Sequence, residues 1–323
     1  MKIVGLMAAR NEDWVLGLST RAALMWLDAL VILDHASTDR TREIAVEIAR
    51  QNHGRVCVIG NNDPVWREME HRQSMLTEAR HIEPTHICYI DADEVLTGDL
   101  LQPAGPTQSE PRIRGLFAAL APSLLLEIPW LALRGSIGQV HTSGPWAGAQ
   151  NASFGFLDSP ELHWSSDKRG GYDFHHRQPM GKSMMPWTPL GATNRRSGLM
   201  HLQFVSGRRL RAKQALYKVT EILRWPGREP DQVRAVNERY NLAVYGQYKT
   251  PTAGELERLD ATLGPAPIEA WWKPYEHLMQ YFHPTRKPWQ EAEVLKAIEQ
   301  HGPQKFAGLD LFGIGEPAFH ERG

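Results

Sequence analysis

Two aspartates separated by one residue, Asp91 and Asp93, directly follow an apolar run of strand length at 85–90. In an extended segment, side chains two residues apart project to the same side, so both carboxylates face one point. Two carboxylates at this spacing suit a hard divalent ion that also binds phosphate oxygens, and Mg²⁺ or Mn²⁺ is the natural occupant. An isolated Asp-x-Asp pair usually forms a solvated turn, but its position at the end of a strand favours a metal site.

Other polar residues also follow predicted strands. Asn11 and Glu12 come after an apolar run at 3–8, and Asp34 comes after one at 29–33. These runs alternate with stretches of helical periodicity, which predicts right-handed crossovers and a mostly parallel sheet. The carboxyl ends of parallel strands share one edge, where ligands bind in open α/β sheets. The sequence therefore predicts that these side chains meet the Asp-x-Asp pair at a common edge.

Further elements complete this pattern. A third apolar run at 56–59 and a helical stretch at 66–82 precede the Asp-x-Asp strand. Asn11 is predicted to cap the first helix, because its side chain can accept a hydrogen bond from a free N–H of the first turn. Ser37 or Thr38 is predicted to begin the second helix. These helices would cover both faces of a buried parallel sheet.

The chain is less regular from residue 95 to about 196 and turns helical from about 208. We expect a domain at 1–205 that carries the site, and a helical extension at 206–323 that packs on it. The predicted fold class is α/β: a Rossmann-like, mostly parallel sheet flanked by helices, with a C-terminal helical extension.

The composition excludes several classes of protein. The 323 residues contain 36 Lys and Arg against 37 Asp and Glu, which leaves a formal charge of −1. Proteins that bind nucleic acid by neutralising phosphates need a basic face, so no nucleic-acid partner is expected. The two cysteines, Cys57 and Cys88, are too few for a multi-bridge scaffold or a four-cysteine zinc site.

No apolar run of the sequence indicates a membrane span. The run at 3–8 is too short for a secretory signal, which favours a cytoplasmic protein. The most apolar window, 115–133, is interrupted by Pro122, Glu127 and Pro129, whereas a spanning helix needs about 20 nearly unbroken apolar residues. We interpret this window as buried strand and turn, which leaves peripheral contact with a membrane open.

Three short segments resemble the GT-A fold glycosyltransferases of family 2. The third segment, with its Asp-x-Asp-Glu order, is similar to the branch often labelled group 4. The segments occur in the family's order and spacing over roughly residues 1–100, and they read Ala9-Arg10-Asn11-Glu12, Leu33-Asp34-His35-Ala36-Ser37-Thr38-Asp39-Arg40-Thr41 and Tyr89-Ile90-Asp91-Ala92-Asp93-Glu94. The resemblance implies a metal-dependent, inverting enzyme that moves a sugar from a nucleotide diphosphate sugar, expected to be UDP-linked, to a glycan or small-molecule hydroxyl acceptor.

The resemblance also implies roles for residues that would contact the donor. Ala9, Asn11 and Glu12 are similar to the part of the family that meets the base and ribose, and Asp34 matches an acidic residue that holds the nucleoside. Many members have a second Asp where this chain has His35, whose neutral imidazole could donate to a carbonyl oxygen of the base. Arg72, on the helix before the metal motif, matches an arginine that often lies near the nucleotide.

The metal site implied by the resemblance uses the acidic motif and one distant histidine. Asp93 would bind the metal directly, Asp91 would bind ribose or a metal-bound water, and Glu94 would orient the pair. His201 would complete the metal site, although a histidine in a half-buried strand is the simpler interpretation. Lys182 would neutralise the diphosphate, although a lone lysine is more often solvated.

No motif identifies the general base. Asp173 and Glu161 are the leading candidates, because aromatic and histidine neighbours suit a sugar-binding surface; these neighbours are Trp164, Tyr172, His175 and His176. A non-catalytic family member that only binds nucleotide or glycan is an alternative, favoured by the substituted His35. A sugar-phosphate nucleotidyltransferase is a weaker alternative, because residues 5–15 lack the glycine-rich basic loop of that class.

Overall fold

The computed structural model describes residues 1–105, 107, 109–141, 151–165, 177–191, 197–245, 263–265 and 268–315. They form two compact units. The first unit contains 1–131, 148–201 and 267–284, and the second contains 132–147, 202–266 and 285–323. Every candidate site residue that the structure describes belongs to the first unit. The predicted domains at 1–205 and 206–323 stay a prediction.

The first unit opens with alternating strands and helices. The strands are β1 (Ile3–Ala9), β2 (Ala29–His35), β3 (Val56–Asn61) and β4 (His86–Tyr89). The helices between them are α1 (Leu16–Ala23), α2 (Thr41–Gln51) and α3 (Glu68–Arg80). All four strands run parallel, in the order β3-β2-β1-β4. The predicted alternation is confirmed.

The remaining strands extend this sheet beyond β4. They are β5 (Glu94–Leu96), β6 (Leu124–Ala132), β8 (Asn151–Leu157), β9 (Met185–Trp187) and β10 (Leu199–His201). Within the described ranges the sheet has nine strands, in the order β3-β2-β1-β4-β8-β6-β10-β5, with β9 paired to β6. β8 is antiparallel to β4 and β6, and β10 is antiparallel to β5. The α/β class of the GT-A prediction, with a mostly parallel core flanked by helices, is confirmed.

Both faces of β1, β2 and β4 are buried, as their unbroken apolar runs predict, whereas the edge strand β3 is half-buried. On one face Ile3 and Met7 pack with residues of α1 and α2 such as Ala45. On the other face Val4 and Leu6 pack against α3 and its Met75, Leu76 and Ala79. Burial of apolar side chains on both faces stabilises β1 at the centre of this part of the sheet.

The window at 115–133, predicted as strand and turn, contains the end of a helix and a strand. α4 (Arg112–Ala118) precedes β6, and a 3-10 helix spans Gly98–Leu101. The first unit closes with α7 (Ile268–Trp272) and a 3-10 helix at Lys273–Tyr281. Tyr275 of that segment donates its hydroxyl to the carbonyl oxygen of Leu96 at 2.9 Å, which ties the segment to β5.

The second unit is mainly helical. It contains α5 (Gly207–Arg224), α6 (Pro230–Tyr245), α8 (Trp289–His301) and a 3-10 helix at Pro303–Phe306. A short antiparallel pair joins β7 (Gln139–His141) to β11 (Leu263–Pro265). Ala215 and Val219 of α5 pack with Val294 of α8 in its core. Among the residues the structure describes, no helix has the length and apolarity needed to cross a bilayer.

The predicted starts of the first two helices are wrong. α1 begins at Leu16 and has no side-chain cap, and α2 begins at Thr41 rather than at Ser37 or Thr38. Asn11 has a φ of +53° and caps nothing in α1. Its Oδ1 instead accepts the backbone N–H of Thr38 at 2.7 Å, so the residue ties the loop after β1 to the loop after β2.

Candidate active site

Asp34 and the Asp-x-Asp pair lie at the same edge of the sheet. Asp34 is paired with Ala9 at the end of β1, and Tyr89, the last residue of β4, is paired with Leu6. Asp34 and the turn that begins after Tyr89 are therefore two strand spacings apart, about 10 Å. The predicted convergence at one edge is confirmed, and the ligands assigned to these residues stay predictions.

The acidic motif forms a tight turn between β4 and β5, here called the acidic turn (Asp91–Glu94). The N–H of Glu94 bonds the carbonyl oxygen of Asp91 at 3.0 Å. In return, the Oε2 of Glu94 accepts the N–H of Asp91 at 2.8 Å. The side chain of Asp91 is 37% exposed, whereas those of Asp93 and Glu94 are 12% and 0% exposed. The side chain of Asp91 therefore faces outward, whereas the carboxylate of Glu94 forms a hydrogen bond within the turn.

Glu94 is the buried centre of this turn. Its Oε1 accepts the Nε1–H of Trp130 at 2.9 Å and a guanidinium N–H of Arg177 at 2.6 Å. Burial raises the pKa of Glu94, and the nearby charge of Arg177 opposes that rise. The role expected for Glu94, orientation of its neighbours, is consistent with these bonds.

Arg177 is a site residue that the sequence did not reveal. Its Nη2 donates to Asp91 as well as to Glu94, although Arg177 and Asp91 are 86 residues apart. The side chain is 15% exposed, and its guanidinium lies 5.5 Å from the centre of the Tyr89 ring. No periodicity or motif marks an arginine in this irregular stretch, so no sequence signal pointed to it.

His201 meets Asp93 directly. β10 runs antiparallel to β5 with His201 opposite Glu94, which brings the Nε2 of His201 to 3.3 Å from the Oδ2 of Asp93. The Trp130 ring stacks on the His201 imidazole at a centroid distance of 4.4 Å and an interplanar angle of 33°. Because Trp130 also donates to Glu94, one side chain fixes both the histidine ring and the acidic turn.

The Asp93–His201 pair fits a divalent ion. Adjacent ligands of an octahedral ion with bonds of about 2.1 Å lie about 3.0 Å apart, close to the observed separation. The carboxylate of Asp91 is bonded to Arg177 instead. Within the described part of the chain, no group of three or more His, Cys, Asp or Glu side chains could hold a metal ion. Such an ion would therefore need oxygens from water or a ligand, as Mg²⁺ and Mn²⁺ commonly do.

Asp34 is a buried carboxylate at the same edge. Only 2% of the residue is exposed. Among the described residues, its buried Oδ1 has no hydrogen-bond partner. Buried polar atoms nearly always have partners, so this oxygen suits a hydroxyl of a bound ligand.

Glu12 has partners within the protein. Its carboxylate accepts the Nε1–H of Trp14 at 2.5 Å, and its backbone N–H donates to the hydroxyl of Thr41 at 2.7 Å. Its direct contact with a nucleotide stays a prediction.

His35 uses its ring proton for a contact within the protein. The ring is fully buried, and its Nε2 lies 3.2 Å from the carbonyl oxygen of Val65. A carbonyl only accepts, so Nε2 carries the proton of the neutral ring and Nδ1 is left as an acceptor. Burial lowers the pKa of His35, which favours this neutral form. Without a ligand the ring proton is thus donated to Val65, and donation from His35 to a base stays a prediction.

His71 packs against His35, with ring centroids 4.5 Å apart and the ring planes tilted by 49°. The Oδ1 of Asn61 accepts the N–H of Asp63 at 2.9 Å, which leaves its amide nitrogen to donate to the Nε2 of His71 at 2.9 Å. Nδ1 of His71 therefore carries the proton of a neutral ring. Burial, followed by the nearby His35, lowers the pKa of His71 to about 4. The exposed Trp66 ring packs at 5.0 Å from His71.

We expect the stability of the protein to fall as the pH is lowered from about 6.5 to about 4. In this window the unfolded chain protonates His71, with an ordinary pKa of 6.5, whereas the folded state keeps the ring neutral. The loss is on the order of 1–3 kcal/mol and is measured as the free energy of unfolding in urea at several pH values. His71→Gln keeps an acceptor for Asn61 but does not titrate. Equal pH slopes for this variant and the wild type would contradict the assignment.

Arg72 is buried rather than presented at the edge. The residue is 2% exposed, its Nε donates to Glu68 at 3.1 Å, and its guanidinium lies 3.7 Å over the Tyr89 ring. The contact with Tyr89 packs Arg72 of α3 against the last residue of β4, next to the acidic turn. Contact between Arg72 and a nucleotide stays a prediction.

The remaining candidates lie in the segments after β8. Glu161 is exposed, and Lys182 is half-buried. These two segments are joined where His163 and Met180 exchange backbone hydrogen bonds of 3.1 and 2.7 Å. Asp173 lies outside the described residues. The roles of Glu161, Lys182 and Asp173 stay predictions.

No family model matches the chain, and no curated protein matches it either. Among solved structures, TarS of S. aureus (residues 1–349) is 13% identical, over 93% of this chain and 92% of that chain, with a TM-score of 0.39. The glucosyl-3-phosphoglycerate synthase from Mycobacterium tuberculosis, solved with Mn²⁺, uridine diphosphate and phosphoglyceric acid, is 17% identical with a TM-score of 0.28.

The match to the synthase covers 41% of this chain and 43% of that chain, so the chain spans less than half of the synthase. At these identities and TM-scores the matches decide nothing about function. The interpretation of the site rests on the side chains of this protein.

Proposed function

We propose that this protein is a metal-dependent glycosyltransferase that uses a nucleotide diphosphate sugar, with UDP as the expected nucleotide. The observation that carries the proposal is the Asp93–His201 pair at 3.3 Å, located at the sheet edge that also holds the buried Asp34. A site for a hard cation beside a carboxylate for ribose suits a diphosphate donor. Membership of family 2 and a cytoplasmic location are part of the same proposal.

Asp93 and His201 would hold Mn²⁺ or Mg²⁺. When bound, such an ion supplies Lewis-acid stabilisation of the negative charge on the leaving diphosphate. Trp130 fixes the ring of His201 by stacking, and Glu94 fixes the backbone of the turn. Preorganised ligands lower the cost of reorganising the site during the reaction.

The chain's own groups would perform the other tasks. Asp34 would accept a hydrogen bond from a ribose hydroxyl, since its buried Oδ1 has no partner among the described residues. An inverting reaction then needs one carboxylate to remove the proton of the acceptor hydroxyl. Glu161 or Asp173 would serve as that base, with Lys182 near the diphosphate. The acceptor would be a glycan or a small molecule with a free hydroxyl.

We expect a nucleoside diphosphate, with uridine diphosphate first among them, to raise the melting temperature in the presence of Mn²⁺. A ligand that binds only the folded state stabilises it by mass action, by about 2.7 kcal/mol at 100 times its Kd. The measurement is a thermal-shift panel of uridine, guanosine, adenosine and cytidine diphosphates, each with Mn²⁺, Mg²⁺ or EDTA. Slow release of nucleotide from the matching sugar donor would then establish turnover.

The panel separates the alternatives left open by the sequence. Metal-dependent binding with release of the diphosphate supports the transferase. Binding without turnover for any donor would favour the non-catalytic family member. No shift with any nucleotide, with or without metal, would contradict the proposal.

A further inference from the structure

Arg177 supplies a positive charge to an acidic turn that is proposed to bind a metal ion. One nitrogen, Nη2, donates to both Asp91 and Glu94. The same guanidinium lies 5.5 Å from the centre of the Tyr89 ring. Burial lowers the pKa of Arg177, but the carboxylates of Asp91 and Glu94 outweigh this effect and raise it, so the guanidinium stays charged. The turn therefore contains a cation even without a metal ion.

The two bonds of Arg177 differ in how readily they can be given up. Glu94 is fully buried, and among the described residues Arg177 is the one charged group of its three hydrogen-bond donors. A buried carboxylate without a charged partner is costly, so Arg177 is anchored to Glu94. The side chain of Asp91 is 37% exposed, and water can replace the guanidinium there. Asp91 can leave Arg177, whereas Glu94 cannot.

We propose that Arg177 is a built-in counter-cation of the acidic turn, which competes with the divalent ion for Asp91. The proposal rests on the proposed function, because it assumes a divalent ion at Asp93 and His201. Asp91 and Asp93 are separated by one residue, so an ion at Asp93 lies close to the guanidinium and is repelled by it. While the ion is absent, Arg177 also provides the carboxylate of Asp91 with a hydrogen-bond donor. Metal affinity is thus set below what the carboxylates alone would provide.

The test measures Mn²⁺ affinity by isothermal titration in the absence of nucleotide. Arg177→Gln removes the charge and keeps a hydrogen-bond donor, and we expect it to bind Mn²⁺ at least about threefold more tightly than the wild type. Arg177→Lys keeps the charge and should stay near the wild-type affinity. Unchanged or weaker binding by Arg177→Gln would overturn the proposal, and so would an equal gain in Arg177→Lys.

Loss of Arg177 leaves Glu94 without its charged partner, so the single variant is checked by circular dichroism. If it does not fold, the deciding comparison is Glu94→Gln against the double variant Glu94→Gln with Arg177→Gln. Both lack the buried carboxylate charge, and they differ only in the guanidinium. The same gain of at least about threefold is expected in the double variant, and its absence overturns the proposal.

The failure of this inference can be told apart from the failure of the proposed function. If Mn²⁺ binds the wild type and Asp93→Ala abolishes binding, the metal site stands whatever the Arg177 variants show. If neither the wild type nor any Arg177 variant binds Mn²⁺, this inference fails, and the metal dependence is decided by the thermal-shift panel in which nucleotide is present. Binding by Arg177→Gln but not by the wild type would support the competition directly.

Discussion

Asp93→Ala is expected to lower the metal-dependent release of nucleotide diphosphate from a sugar donor by about 10²–10³-fold, the range seen when one preorganised group that stabilises developing charge is removed. Asp93 is one of the two side chains that would hold the ion, and its Oδ2 lies 3.3 Å from His201. Without it, the charge on the leaving diphosphate would lose its main stabilising partner. The measurement is the initial rate of donor hydrolysis over a series of Mn²⁺ concentrations.

Two further variants test whether the loss of activity arises from the metal. Asp93→Asn keeps the shape of the side chain and removes its charge, so it should lose nearly as much activity as the alanine variant. Glu47→Ala changes an exposed acid on α2 and should behave as the wild type. Wild-type rates in Asp93→Ala at every metal concentration would show that the metal assignment is wrong.

Glu94→Ala is expected to lower the free energy of unfolding by about 3–5 kcal/mol, the usual cost of removing one member of a buried ion pair. The substitution leaves Arg177 buried beside Asp91 alone and removes the acceptor of the Trp130 Nε1–H. It also removes the bond between the Glu94 carboxylate and the N–H of Asp91. Urea denaturation followed by circular dichroism measures the change.

Glu94→Gln is the matched control for this prediction. The amide keeps the size of the side chain and an acceptor for Trp130, so the expected loss is smaller, about 1–2 kcal/mol. Equal losses in the alanine and glutamine variants would assign the whole effect to the ion pair with Arg177, which both variants lack. A glutamine variant as stable as the wild type would show that this ion pair is not what stabilises the turn. A stable Glu94→Ala variant with altered Mn²⁺ affinity would assign Glu94 to metal binding alone.

The parallel direction of the first strands and the edge at which Asp34 and Asp91 lie could be predicted from the sequence, whereas the order of the strands came from the structure. Apolar runs of strand length alternate with helical stretches, and parallel strands joined by right-handed crossovers must place their carboxyl ends together. The registers of β1 with β2 and of β1 with β4 agree with that expectation. These inferences depend on backbone geometry that repeats along each strand, so local patterns were sufficient.

The prediction for Asn11 failed because the same residue type serves two purposes. An asparagine before a helix is a common cap, but it also adopts positive φ readily and bonds to nearby backbone N–H groups in turns. Here its partners are Thr38 and Asp39 in the loop after β2. The choice between a local and a distant partner depends on how close β1 and β2 bring their following loops.

The sequence by itself determined which residues gather at the edge: Asp34, Asp91 and Asp93, each placed by the strand that precedes it. Only the tertiary structure decided their partners. Arg177 bonds Asp91 and Glu94, and Trp130 bridges Glu94 and His201. The physical reason is that the parallel direction of the strands follows from repeating local geometry, whereas a side-chain contact across 86 residues depends on the path of an irregular chain.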